Sequence, residues 1–237
     1  MRKNATTMVG DIDRCWLFAF RIPAAQLMAR VPQPLELVTY GGYGFINVVV
    51  SELSHMRPLG LPAFVGMRYR HVAYRTYVRF HPPNEQAIEG LYFFRSDADS
   101  ALIVRAGNLL TDFQFNLAAI EIEESRSRLA IHIASETAPG LARLDRDIKP
   151  DLSEGSPFAE LAAAEAFLKY KPAGISVKQQ EVNVLRITRD EAAWRARPVH
   201  VIEAEFEFLK PLNASFELCS ELEPVHYRWN RAERYRL

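Results

Sequence analysis

The chain has 237 residues, with 29 Lys plus Arg balanced by 29 Asp plus Glu, so its formal net charge is zero. Without excess positive charge a nucleic-acid partner is disfavoured, because affinity there rests on neutralising phosphates. Apolar residues make up 49% and charged residues 24%, ordinary globular usage that excludes disorder, and no uncharged stretch approaches bilayer-spanning length. Residues 1–13 lack the apolar core of a secretion signal, so the expectation is a cytoplasmic protein with no membrane contact, built as a single domain over residues 1–237. Cys15 and Cys219 have no CxxC spacing and sit in strand-like apolar surroundings, which predicts reduced packing residues.

Residues 15–22 (CWLFAFRI) form an aromatic apolar run too short for a globular helix, predicting a buried strand with Trp16, Phe18, Phe20 and Ile22 on one face. Pro23 suits the first position of a short helix over residues 24–30, which Pro32 and Pro34 terminate. Gly41, Gly42 and Gly44 surround a turn, and residues 45–50 (FINVVV) are a β-branched strand. Residues 72–80 alternate, placing Val72, Tyr74, Thr76, Val78 and Phe80 on one face and Ala73, Arg75, Tyr77 and Arg79 on the other, with His71 on the Arg face. Residues 91–95 and 101–106 read as strands flanking a turn at 96–100, and residues 113–122 and 129–133 as a hairpin.

Periodicity disappears over residues 136–156, where Pro139, Gly140, Pro150 and Gly155 punctuate a charged run. A loop this long is usually functional or mobile, and Leu141, Leu144, Ile148 and Leu152 have the spacing of a weak helix that would lie over a pocket mouth. Ser156 and Pro157 then open a helix over residues 158–170, and strands follow at 181–187, 200–210 and 215–222. On the second of these Lys210 has inward parity, but Pro211 ends the strand there and lets the amine reach solvent.

The Arg before an aromatic strand, the short helix and Val31-Pro32-Gln33-Pro34-Leu35-Glu36 resemble the opening of acetoacetate decarboxylases. The chain resembles still more an uncharacterised, YqjF-like bacterial family related to them, with a glycine turn and strand at residues 40–50 and a Met56, Arg57, Gly60, Leu61, Pro62 segment. Arg75-Thr76-Tyr77-Val78, Tyr92-Phe93-Phe94 and Val104-Arg105-Ala106 are further matches. The resemblance covers residues 12–123 well and the rest loosely, and it implies an α+β, mainly antiparallel β fold. It implies, specifically, an acetoacetate decarboxylase-like barrel with an internal pocket and a few peripheral helices.

The decarboxylases use two consecutive lysines, one activated by the charge of the other. The corresponding place here is near Phe113 and Gln114, and no two lysines are adjacent anywhere in the chain. The family's acidic active-site residue falls close to His71, a second departure, whereas its arginine is matched by Arg14. If the strands close into a barrel, Arg14, His71, Arg75 and Arg105 would line one pocket together with Gln114, offering planar donors to a carboxylate or phosphate. His71 and Arg75, four residues apart on one strand face, would stand about 13 Å apart and mark two ends of a site. The bland alternative is a set of salt-bridged surface arginines.

The six histidines have no metal-ligand spacing, and no GxSxG, Walker or dinucleotide motif is present, so no metal or cofactor is expected. The implied partner is a small molecule of anionic or apolar character, and self-association as a homo-oligomer stays open. Two readings remain. One is an enzyme acting on a small oxo or carboxylic acid without the lysine pair; the other is a non-catalytic small-ligand-binding protein.

Overall fold

The structure, a computed structural model, describes residues 3–192 and 194–236. In chain order the strands and helices are β1 (Met8–Pro23), α1 (Ala24–Met28), β2 (Glu36–Leu37), β3 (Tyr43–Pro58), β4 (Met67–Phe80), β5 (Ile88–Ala98) and α2 (Ala101–Leu110). There follow β6 (Phe115–Leu117), β7 (Ala119–Ser125), β8 (Arg128–Ala134), β9 (Gly140–Asp145), α3 (Leu161–Leu168), β10 (Ala173–Lys178) and β11 (Glu181–Arg189). The last five are β12 (Ala196–Pro198), β13 (His200–Phe206), β14 (Ser215–Leu222), β15 (Val225–Trp229) and β16 (Glu233–Arg236).

β1 is the spine. One edge pairs with β3 along nearly its whole length; the other pairs first with β15, over Met8–Ile12, and then with β14, over Cys15–Arg21. From β3 the antiparallel pairing continues through β4 to β5, passes by a short parallel contact to β10, and proceeds through β11 to β15. Since β15 pairs with β1, the pairings return to their start. Gly41 and Gly42 both have positive φ, +57° and +84°, which is the conformation the turn into β3 requires and that a Cβ would oppose.

A second, four-stranded antiparallel sheet in the order β13-β9-β8-β7 covers one outer face of β1, β3 and β4. Trp16, Phe18 and Phe20, which share a face as their alternation requires, meet Ile120, Leu129, Ile131 and Phe206 there. Phe206 packs edge-on against both Phe18 and Phe20, with ring centroids 5.6 and 5.7 Å away. The opposite parity of β1, Cys15 and Leu17, joins Val49, Ala73 and Leu222 in a separate interior cluster. The side chains of β1 therefore divide between two cores.

Four expectations from the sequence are corrected. Residues 101–106 are not a strand: Ser100 accepts from the Ile103 amide and caps α2, and residues 96–98, expected in a turn, extend β5 instead. Residues 136–156 are no lid, because β9 lies within them as an internal strand between β8 and β13, with Ala142 and Leu144 buried at a period of two. The expected helix over 158–170 is the shorter α3, and Ser156 donates to Glu217 instead of capping it. The strand expected over 200–210 stops at Phe206; Lys210 follows in a 3-10 turn, exposed and paired with Glu207.

Candidate functional site

The site is built from three rows of cross-strand neighbours. Cys15 faces Ser51 and Ser51 faces His71; Leu17 faces Val49 and Val49 faces Ala73; Ala19 faces Asn47 and Asn47 faces Arg75. Because side chains alternate along a strand, the first two rows and Arg75 all project to the same side of β1, β3 and β4. There they bound an internal cavity of about 60 Å³. β5 adds Phe93, β11 adds Arg189, β15 adds Tyr227, and Tyr170 closes in after α3. That is well above the roughly 10–15 Å³ a cavity needs to hold one water, so the space suits a few waters or a small molecule.

Most of the wall is apolar, so its few polar groups stand out. His71 and Arg75 are only 7% and 6% exposed. His71 Nε2, Arg75 Nε and the Tyr227 hydroxyl are buried and have no hydrogen-bond partner. Among the described residues no carboxylate pairs with Arg75; its guanidinium lies over the rings of Tyr170 (5.1 Å) and Phe93 (5.9 Å) instead. A guanidinium remains charged in proteins even though burial lowers the Arg75 pKa from its ordinary value. Burial, and then the charge of Arg75, push His71 down to about 3, so its imidazole is neutral at physiological pH. Burial raises Cys15 to about 11, Tyr170 to about 12 and Tyr227 well above its usual value. Ser51 Oγ donates to Cys15 Sγ at 3.3 Å, a bond that favours the thiolate, but burial outweighs it and the thiol stays un-ionised.

Arg189 also reaches the cavity, but its charge is matched by Glu191, which accepts from Nε at 3.0 Å. The guanidinium packs against Trp194 at 3.5 Å and Tyr170 at 4.5 Å. With Arg189 balanced and His71, Cys15 and the tyrosines neutral, the cavity carries one net positive charge, on Arg75. The arrangement is complementary to a small monoanion.

The structure thus brings together only two of the five residues singled out in the sequence, His71 and Arg75. Arg14 faces away from the cavity, bonding to Glu52 and Glu124 above the Trp16 ring. It is one link in a chain of ion pairs, Arg70–Glu52–Arg14–Glu124–Arg146–Glu221–Arg197, that runs along the seam between the two sheets. Arg105 is exposed on α2, and Gln114 is exposed with its backbone carbonyl accepting from Ser96. Neither lines the cavity. Cys15, Ser51, Arg189 and Tyr227 were missed, although the alternation of β1 already separated Cys15 from the Trp16 face.

The His71 geometry carries a pH dependence. An unfolded chain protonates this imidazole near the usual 6.5 and the folded protein near 3. Its contribution to stability is therefore intact above pH 6.5 and is lost as pH falls from there toward 3. The slope is about 1.4 kcal/mol per pH unit. Urea titrations of wild type and His71→Asn across that window should diverge by this slope; parallel curves would mean that His71 is protonated in the fold.

The fold is acetoacetate decarboxylase-like. An acetoacetate decarboxylase from Legionella pneumophila subsp. pneumophila str. Philadelphia 1 superposes with a TM-score of 0.67 at 11% identity, over 97% of this chain and 87% of that one. An acetoacetate decarboxylase-like enzyme from Sphingomonas wittichii RW1 gives 0.64 at 13% identity, over 100% and 95%. The enduracididine biosynthesis enzyme MppR, complexed with pyruvate, gives 0.55 at 7% identity, over 98% and 91%. At these identities the likeness is one of fold.

The chain belongs to the DUF2071 family, described as an uncharacterized conserved protein, whose model matches residues 12–229. It is also 37% identical over 90 residues to the uncharacterized protein YqjF of Bacillus subtilis (strain 168), a match that spans 37% of this chain and 35% of that protein. No helix among the described residues is long and apolar enough to cross a membrane, and no metal-binding group of His, Cys, Asp and Glu is present among them.

Proposed function

We propose that this protein binds a small monocarboxylate in the internal cavity, with the carboxylate on Arg75 and the polar end of its body near His71 and Tyr227. One observation carries the proposal: an arginine 6% exposed, its guanidinium without a carboxylate partner, in a cavity that also holds two unpartnered polar atoms. Isolating a charge from water is expensive unless it is paired, and an anionic occupant supplies that pair. Pyruvate in the MppR structure is a molecule of this class on the same fold. The packing of both sheets on one cluster supports a single-domain reading.

Pyruvate at millimolar concentration should raise the melting temperature of the wild type, as a ligand of the native state must, and leave Arg75→Met unmoved. No shift with pyruvate or acetate would overturn the assignment. Schiff-base chemistry is not part of it, since among the described residues no lysine lines the cavity. Borohydride with acetoacetate should therefore yield no adduct by intact mass; a stoichiometric adduct would contradict this.

A catalytic version is favoured by one feature, the neutral His71 with a free Nε2 in the same cavity as the charge. With a pKa of about 3 this imidazole is too weak a base to take a proton from carbon, but as a neutral group it can hydrogen-bond the reacting group of a bound substrate through Nε2. His71→Asn would then abolish turnover of a substrate while retaining its binding.

A further inference from the structure

Beside the cavity lies a larger recess of about 390 Å³, lined from α3 by Ala162, Ala166 and Leu168 and from β14 by Leu218, with the charged Glu165, Lys169 and Arg195 also on its wall. We propose that this recess is a second compartment of the same site, so that the ligand is a carboxylic acid whose apolar body extends from Arg75 into it. The inference rests on Arg75 as the partner of the carboxylate.

Three observations support the continuity. The two spaces share the walls Leu17, Tyr170, Trp194 and Leu222. The row that ends in Arg75 begins with Ala19 and Asn47, which belong to the recess, so the charge stands at the end of the cavity nearest the recess. The partition between the spaces includes two side chains, Tyr170 and Trp194, whose rings lie 5.8 Å apart. Arg189 braces both rings and is itself held by Glu191, whose side chain is 58% exposed. An exposed ion pair is a weak latch. The inner cavity accommodates a head group and a few carbons; anything longer has the recess as its outlet, and the small alanine side chains of α3 leave room for it.

Straight-chain acids from acetate to decanoate, titrated calorimetrically into the full chain, test this. Affinity should keep rising past butanoate, about fourfold for each methylene that the recess buries. Ala166→Trp, at an exposed position that fills the recess, should abolish those increments and leave acetate and butanoate unchanged; Ala162→Trp should do the same and guards against misfolding of the first variant. Arg75→Met should lose the whole series. Affinity that levels off or falls after butanoate, increments that survive both tryptophan variants, or equal binding by Arg75→Met would overturn the two-compartment site. If short acids bind and long ones do not, only the recess is refuted; if none binds, the carboxylate assignment falls with it.

Discussion

Replacing Arg75 with methionine is expected to make the protein more stable, by on the order of 1–4 kcal/mol, while removing its ability to bind small carboxylates. Burial of an ion costs several kcal/mol even after relaxation, and Arg75 has no carboxylate among the described residues to offset it. Its two ring contacts, with Phe93 and Tyr170, return about 0.5–2 kcal/mol each, which is less than the penalty. Methionine has similar length, no charge and the flexibility to fill the same space. Urea denaturation of both proteins in a buffer free of carboxylates measures the difference. A loss of stability of 1 kcal/mol or more in Arg75→Met would mean that the guanidinium is a structural group satisfied by its surroundings, and would remove the reason for placing an anion beside it. A gain in stability combined with lost binding is the pattern of a residue retained for function at the expense of the fold.

How far the site was legible depended on whether alternation along one strand was enough. His71 and Arg75 share a face of β4, and period-two reading found them. The same rule, applied to β1, separates Cys15 and Leu17 from Trp16 and Phe18, yet which face is the interior is decided by the sheet that covers the other one. Arg14 shows the consequence. It was matched to a family position, but it sits on the side covered by the second sheet, where Glu124 of β7 meets it; that partner is 110 residues away and no local pattern announces it. Tyr227 and Arg189 reach the cavity only because β15 and β11 close the circuit back to β1.

Secondary structure failed where short apolar runs are ambiguous. Residues 101–106 (ALIVRA) suit a strand by composition, and the deciding signal was the Ser100 cap. In α2 Gly107, a poor helix former, is explained by contact: a Cβ there would meet the Phe115 ring at 2.5 Å. In β9 the buried apolar positions are Ala142 and Leu144, and an alanine is too weak an apolar signal to reveal period two against a background of charges.

Glu217→Ala is expected to destabilise the protein by about 3–5 kcal/mol, the range for removing one member of a buried ion pair. Glu217 falls at the irregularity where β14 pairs with β1, between the partners of Ala19 and Phe20, and its side chain is fully buried. One oxygen accepts from Arg21 at 2.8 Å and the other from Ser156. The same guanidinium donates to Ser153 Oγ and to the Glu154 carbonyl, both at 2.6 Å, so the pair also ties the loop after β9 to the sheet. Without the carboxylate, Arg21 keeps those neutral acceptors but lies buried with no counter-charge. The double variant Arg21→Met, Glu217→Leu removes both charges and should recover most of the loss, since a buried pair replaced by apolar side chains is often neutral in stability. A double-mutant cycle by urea denaturation measures the coupling directly. Proteolysis within residues 147–156 should accelerate in Glu217→Ala, because the tether that resists local opening is gone. A single-variant loss below about 1 kcal/mol, or no recovery in the double variant, would show that packing around Phe216 holds the loop and the charge pair contributes little.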